Sequence, residues 1–180
     1  MKRVVGLVVA AILVGSLAPS GVVAQGSIFV GAGPTFPIGD FGTYAKTGWL
    51  GYAGFGVPVG GKGLTAGANL VFGSNKHSGI AGGKTNLFGG FGYLQYRVGN
   101  PAKPGVYFYG QVGVLNHKYK PAGTSASSQD DWKPAFGGGA GIDIPLGGVG
   151  LFIEGSLIAR SGTALIPLMA GLSVPFGRKN

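Results

Sequence analysis

The chain has no cysteine, which excludes a disulfide framework and any thiolate metal site. It is nearly as poor in acid. Asp and Glu number 5 against 14 Lys and Arg, and all charged residues make up only 11% of the chain. The pair Asp130-Asp131 lacks the further oxygen ligands that Ca²⁺ requires. No G-x-S-x-G nucleophile motif is present. The run Gly137-Gly138-Gly139 is followed by neither a helix nor Gly-Lys-Ser/Thr, so it is no phosphate loop. No cofactor or metal is implied. After residue 24 there is also no long apolar run and no segment with helical periodicity.

What is abundant is glycine, with 39 residues, alongside 11 prolines and a hydrophobic fraction of 45%. Gly and Pro at this level suit low-complexity disorder. Here the glycines lie within runs of Val, Ile, Leu, Phe and Tyr, which disordered chains lack. The net charge of +9 calls for an anionic partner. With no basic-aromatic nucleic-acid motif, the partner expected is a lipid surface and not nucleic acid.

The first residues have the parts of a secretory signal. Lys2 and Arg3 are the charged region, Val4–Val14 the apolar region, and Val22-Val23-Ala24 the small residues before a cut. The apolar run is shorter than the ~20 residues of a membrane-spanning helix. Residues 1–24 are therefore expected to be a cleaved signal peptide, and residues 25–180 one domain.

That domain alternates with a period of two, interrupted by turns. Strands are expected at Ser27–Phe36, Thr47–Val59, Gly63–Gly73, Thr85–Val98, Gly105–His117, Pro134–Leu146, Val149–Ala159 and Ala164–Phe176. Connections after the first, third and fifth are long and polar. Those after the second, fourth and sixth are short and carry Gly or Pro, and the one after the seventh is short as well. Lys118–Lys133 is expected to be the longest loop. In the last strand, Ile166, Leu168, Ala170, Leu172, Val174 and Phe176 form an unbroken apolar face, opposite the more mixed Leu165, Pro167, Met169, Gly171 and Ser173. An open sheet in lipid would leave edge N–H and C=O groups unpaired. Closure of the first strand on the eighth removes both edges. The fold class expected is all-β: an eight-stranded antiparallel up-and-down transmembrane barrel, apolar outside and more polar inside. A soluble eight-stranded barrel is the alternative.

Three charged residues fall within strands: Arg97, Asp143 and Glu154. Each lies opposite its strand's more apolar set. They are expected to form a charge cluster inside the lower barrel, because buried charge must be paired. The alternative is an interfacial, solvated position. Tyr93, Tyr107 and Tyr109 are expected inside. Phe36, Trp49, Phe72, Phe88, Tyr96, Phe136 and Phe176 are candidates for aromatic girdles.

With these features assembled, residues Ser27–Phe176 resemble the small eight-stranded outer-membrane β-barrels of Gram-negative bacteria, the OmpA- and OmpX-like barrels. In that family the last strand ends in an aromatic with apolar residues at alternate positions before it. The outer-membrane assembly machinery reads that pattern. Leu168, Ala170, Leu172, Val174 and Phe176 match it; the tail Gly177-Arg178-Lys179-Asn180 departs from it, since the aromatic is usually last. The resemblance implies the cell outer membrane as location. The expected extracellular loops carry Lys46, Lys76, Lys84, Lys118, Lys120, Lys133 and Arg160. These make a basic rim suited to lipopolysaccharide phosphates, with ordinary solvated charge as the alternative.

The function read from this is a structural or surface-interaction role without catalysis, in a monomer. Three alternatives remain open. One is an adhesin or binding protein acting through its loops. Another is a lipid-modifying enzyme using His77 or His117 with nearby serines (Ser74, Ser78 and those of 125–128). The third is a narrow pore, which a filled eight-stranded interior disfavours.

Overall fold

The computed structural model describes residues 26–60, 63–78, 82–122 and 129–177. The expected signal peptide, 1–24, lies outside them. Eight strands follow one another: β1 (Gly26–Ile38), β2 (Gly48–Pro58), β3 (Leu64–Lys76), β4 (Lys84–Arg97), β5 (Gly105–Lys120), β6 (Gln129–Pro145), β7 (Gly150–Arg160) and β8 (Thr163–Phe176). Each pairs antiparallel with the next, and β8 pairs with β1, closing the barrel. A short helix, α1 (Gly39–Tyr44), sits between β1 and β2.

The register sets the tilt. Ile28 pairs with Phe55, Phe55 with Ala68, Ala68 with Gly92, and Gly92 with Val112. Val112 then pairs with Phe136, Phe136 with Ala159, Ala159 with Ala164, and Ala164 with Ile38. One circuit therefore displaces the chain from Ile28 to Ile38, a shear of about ten residues for eight strands, which corresponds to strands tilted by roughly 40°.

Alternation assigns the two faces. Ile28 and Val30 of β1, Phe108 and Val112 of β5, Phe136 and Ile142 of β6, and Leu168, Leu172 and Val174 of β8 are exposed. Their neighbours point inward: Phe29 and Gly31, Tyr107 and Gln111, Gly137 and Gly141, and Leu165 and Met169. The outer wall thus carries a continuous apolar belt. A soluble barrel would bury this face, so the arrangement is the inverse of one. The aromatics Phe36, Trp49, Phe72, Phe88, Tyr96, Phe136 and Phe176 all stand on the exposed side. Trp49 packs edge-on against Phe72, and Phe88 against Trp132.

Glycine makes the β1–β8 seam close. Gly31 and Gly171 are directly paired, and the ring of Phe152 from β7 fills the space that their missing side chains leave. At the tight turns, Gly147 and Gly162 adopt φ of 76° and 75°, which a side chain resists.

Two expectations are corrected. Lys118–Lys133 is not a loop throughout: β5 runs on to Lys120 and β6 begins at Gln129. These extensions rise above the apolar belt, where both faces meet water, so apolar alternation fades although the ladder continues. The loop after β1 is also not wholly irregular, since it contains α1.

Candidate functional site: the barrel interior and its rim

The interior divides into three layers. At the loop end, α1 tucks Phe41 into the mouth, where it is 1% exposed. Its ring meets Tyr44, His77 and His117. His77 stacks on Tyr119, with ring centres 5.0 Å apart, and its Nε2 lies 2.8 Å from the Thr85 hydroxyl. Burial lowers the His77 pKa below its ordinary value. Beneath this plug lies an apolar layer of Leu50, Val71, Leu87, Phe91, Leu115, Ile158, Leu165 and Met169, all buried. Side chains thus fill this end of the barrel, as eight strands permit.

The half nearer the short turns is different. It holds a cavity of about 290 Å³ lined by Phe29, Tyr52, Tyr93, Tyr107, Tyr109, Phe152 and Glu154 among others. The rings form a connected wall. Phe29 packs edge-on against both Tyr52 and Tyr93, and Tyr52 stacks on Phe152 at 5.9 Å. Glu154 sits in this wall, accepting hydrogen bonds from the Tyr107 hydroxyl at 2.6 Å and the Tyr109 hydroxyl at 3.0 Å. Gly141, opposite Glu154 on β6, leaves room for the Tyr107 ring.

All three strand charges face inward and line one cavity, but only two of them pair with each other. Arg97 Nε donates to Asp143 at 2.6 Å, and Arg97 Nη2 donates to the Lys103 carbonyl at 2.5 Å. That pair fastens the β4–β5 turn to β6. Glu154 is not in it. Among the described residues Glu154 forms no ion pair; its partners are tyrosines, which a rule of opposite charges does not reach. The signal was present in Tyr107 and Tyr109, which share the parity of the inward face of β5.

The basic rim separates in the same way. Lys76, Lys84 and Lys120 are exposed and stand side by side, Lys76 paired with Lys84 and Lys84 with Lys120. They lie on the outer wall, four residue pairs along the ladder beyond Phe72 and Phe88. Lys46 is exposed near the mouth. Lys118 pairs with Asp130 at 3.7 Å. Lys133 faces inward and pairs with Asp131 at 3.1 Å. Arg160 is not a rim residue. Its side chain is 4% exposed, and it donates to Asp131 Oδ2 at 2.5 Å, to the Asp131 carbonyl at 2.8 Å and to the Leu115 carbonyl at 3.1 Å. The reason is parity: Arg160 continues the inward series Phe152, Glu154, Ser156, Ile158.

Among the described residues the histidines do not assemble a hydrolytic site with Ser74 or Ser78. Ser74 donates to Asn86 at 3.1 Å, and Ser78 donates to the Tyr44 carbonyl. His117 faces Thr163, with 3.5 Å between ring nitrogen and hydroxyl. Residues 125–128 lie outside the described set. In β8, Leu168, Leu172, Val174 and Phe176 are exposed on the outer wall with Ala170, and Phe176 pairs with Gly26 at the start of β1.

A closed, eight-stranded antiparallel barrel with an apolar outer wall and its strand charges inside is the fold of the small outer-membrane barrels. Solved structures agree with that. The chain is similar to Ail, the attachment invasion locus protein of Yersinia pestis, solved in complex with the heparin analogue sucrose octasulfate. The TM-score is 0.58 and the identity 14%, over 86% of this chain and 100% of that one. It is also similar to Ail in a phospholipid bilayer nanodisc, at a TM-score of 0.51 and 15% identity over 85% of this chain and 99% of that one. A third match is the outer membrane protein OprG from Pseudomonas aeruginosa, at a TM-score of 0.50 and 14% identity over 86% and 98%. At such identities the likeness is one of fold. No protein-family model and no curated protein matches the chain.

Proposed function

We propose that the protein is an outer-membrane β-barrel with a structural and surface-interaction role and no catalysis, holding lipopolysaccharide against its outer wall. The row Lys76–Lys84–Lys120 carries this reading. Like charges directly opposite one another on adjacent strands repel. No acidic side chain among the described residues pairs with these three. A phosphate-bearing lipid headgroup supplies the missing anion, and the row lies beyond the exposed aromatics Phe72, Phe88 and Trp132, where headgroups begin. The long connections then face the cell exterior and the short turns the periplasm. The apolar alternation of β8, ending in Phe176, serves as the signal read by the outer-membrane assembly machinery, and the barrel acts as a monomer.

Fractionation and gel migration test the location. The protein is expected in the outer-membrane fraction, migrating differently before and after boiling; recovery in the aqueous fraction without detergent would overturn it. Lipopolysaccharide co-purification tests the row. Replacing Lys76, Lys84 and Lys120 together by Gln is expected to remove most of the bound lipid while the barrel still closes. A second reading is adhesion through the same cations. Ail was solved with a sulfated heparin analogue, and exposed lysines suit sulfate as well as phosphate. Surface binding to heparin that survives in the triple variant would favour Lys46 and the loops instead.

A further inference from the structure

We propose that the aromatic chamber in the turn-end half of the barrel is a binding site for a small protonated amine, with Glu154 as its counter-charge. Three independent observations meet there. The first is charge. Glu154 is the chain's single glutamate, it faces inward, and it has no cationic partner among the described residues. Arg97, the nearest strand cation by register, also lines the cavity together with Asp143; its Nε and Nη2 are taken by Asp143 and the Lys103 carbonyl, its buried Nη1 has no partner, and its charge is offset by Asp143, which leaves Glu154 as the uncompensated charge of the lining. The Tyr107 and Tyr109 hydroxyls that hold Glu154 donate to it. Their own oxygens then face the chamber as acceptors.

The second observation is the supply of acceptors. The Asn69 carboxamide donates to Gln111 at 3.4 Å, which leaves its Oδ1 buried with no partner. Both residues line the cavity. A buried, unpaired acceptor is costly, and it is satisfied by a donor. The third observation is the wall. Phe29, Tyr52, Tyr93, Tyr107, Tyr109 and Phe152 surround the carboxylate with ring faces and edges, an environment that attracts a cation to the ring faces. A charge-assisted N–H···O bond to Glu154 anchors such a cation. An anion meets repulsion here, and a neutral apolar molecule leaves the carboxylate and the Asn69 oxygen unserved.

Size permits the ligand. A cavity of about 150 Å³ already holds a benzene molecule, and this one measures about 290 Å³. Access is one-sided, since the Phe41 plug and the apolar layer close the other end. The chamber is therefore a receptor cup and not a channel. The proposal stands on the cavity and does not depend on the lysine row outside.

The test uses the barrel in nanodiscs, with n-butylammonium and the neutral n-pentanol as probes. Calorimetry and amide chemical shifts read out binding. Butylammonium is expected to bind saturably, at least tenfold tighter than pentanol, with shifts at inward-facing residues around Gly141 and Glu154. Glu154→Gln is expected to weaken it at least tenfold and Tyr109→Phe severalfold, whereas Lys76→Gln leaves it unchanged. Pentanol binding as tightly, full affinity in Glu154→Gln, or no saturation at 20 mM each overturns the proposal. If Glu154→Gln does not close into a barrel, unchanged affinity in Tyr109→Phe overturns it equally.

Discussion

Asp131 and Arg160 give the sharpest test of how charge is stored at the mouth. The guanidinium is 4% exposed, while the carboxylate beside it is 46% exposed. Removing either partner breaks the same bond but leaves different remainders. Asp131→Asn strands a buried cation. Uncompensated buried charges left by breaking a pair typically cost 3–5 kcal/mol. Two carbonyl acceptors, of Leu115 and Asp131, still serve this guanidinium, and each such bond to a charged group contributes about 1.5–3 kcal/mol. A net loss of about 2–4 kcal/mol is therefore expected. Arg160→Met strands nothing buried and charged. Asp131 remains half in water and keeps Lys133 at 3.1 Å, and methionine refills most of the volume. The three hydrogen bonds of Arg160 are lost, but the desolvation cost of the buried guanidinium goes with them, so a smaller net loss of about 1–2 kcal/mol is expected. The double variant is expected to be no less stable than Asp131→Asn, because the stranded cation is gone. Guanidinium unfolding in detergent micelles, followed by tryptophan fluorescence, measures all three. If Arg160→Met is the more damaging single change, desolvation of the cation is not the governing quantity and this reasoning fails. Lipopolysaccharide retention should be unaffected by Arg160→Met, as befits a residue that does not belong to the rim.

Gly171→Val is expected to hinder barrel closure, because its Cβ would overlap the Phe152 ring and the Val30 carbonyl at the β1–β8 seam; overpacking of this kind costs about 1–3 kcal/mol, and a lower temperature for heat-modified migration checks it. Phe176→Ala is expected to lower the amount assembled in the outer membrane more than it changes any binding activity, as read by fractionation; normal assembly would mean that the basic tail has displaced the signal. His77 predicts an acid-sensitive mouth. Its pKa in the fold lies below the ordinary 6.5, so as pH falls through that value the unfolded chain takes up a proton that the folded one resists, and stability is lost. The protection factor of the Ser78 amide, which donates to the Tyr44 carbonyl, should fall from pH 8 to pH 5 once the intrinsic pH dependence of exchange is divided out, and His77→Phe should reduce that fall.

Strand number, order and facing were legible because they depend on a period of two, and the apolar belt writes that period in strongly contrasting residues. Phe136, Ala140 and Ile142 against Gly137, Gly139 and Gly141 leave no ambiguity about which face meets lipid. The same parity rule placed Arg97, Asp143 and Glu154 inside. Parity does not say who touches whom. That Arg97 chooses Asp143 while Glu154 is held by tyrosines depends on register, and register depends on cross-strand pairings tens of residues apart, such as Gly141 with Glu154. Above the belt the contrast disappears. Lys118, Lys120, Asp130, Asp131 and Lys133 put charge on both faces, so a ladder that continues by backbone bonding reads as loop. Arg160 was misjudged for a related reason. A single basic residue next to a turn looks exposed until the inward series Glu154, Ser156, Ile158 is carried one step further.

The distribution of glycine joins these points into one constraint. Closing eight strands with this tilt leaves an interior that few large side chains fill, so each inward ring needs an empty position beside it. Phe152 takes its space from Gly31 and Gly171, Tyr107 from Gly141, and Tyr93 from Gly56 and Gly67. The rings bought with these glycines are concentrated in one half of the barrel, around Glu154. The other half is filled by ordinary aliphatic packing and the Phe41 plug. A barrel needing only rigidity would be served by aliphatic layers throughout. Glycine in a strand weakens it, so the chain bears a stability cost to keep an aromatic, acceptor-lined chamber open at the turn end. That asymmetry, more than the fold itself, is what a structural role alone leaves unexplained.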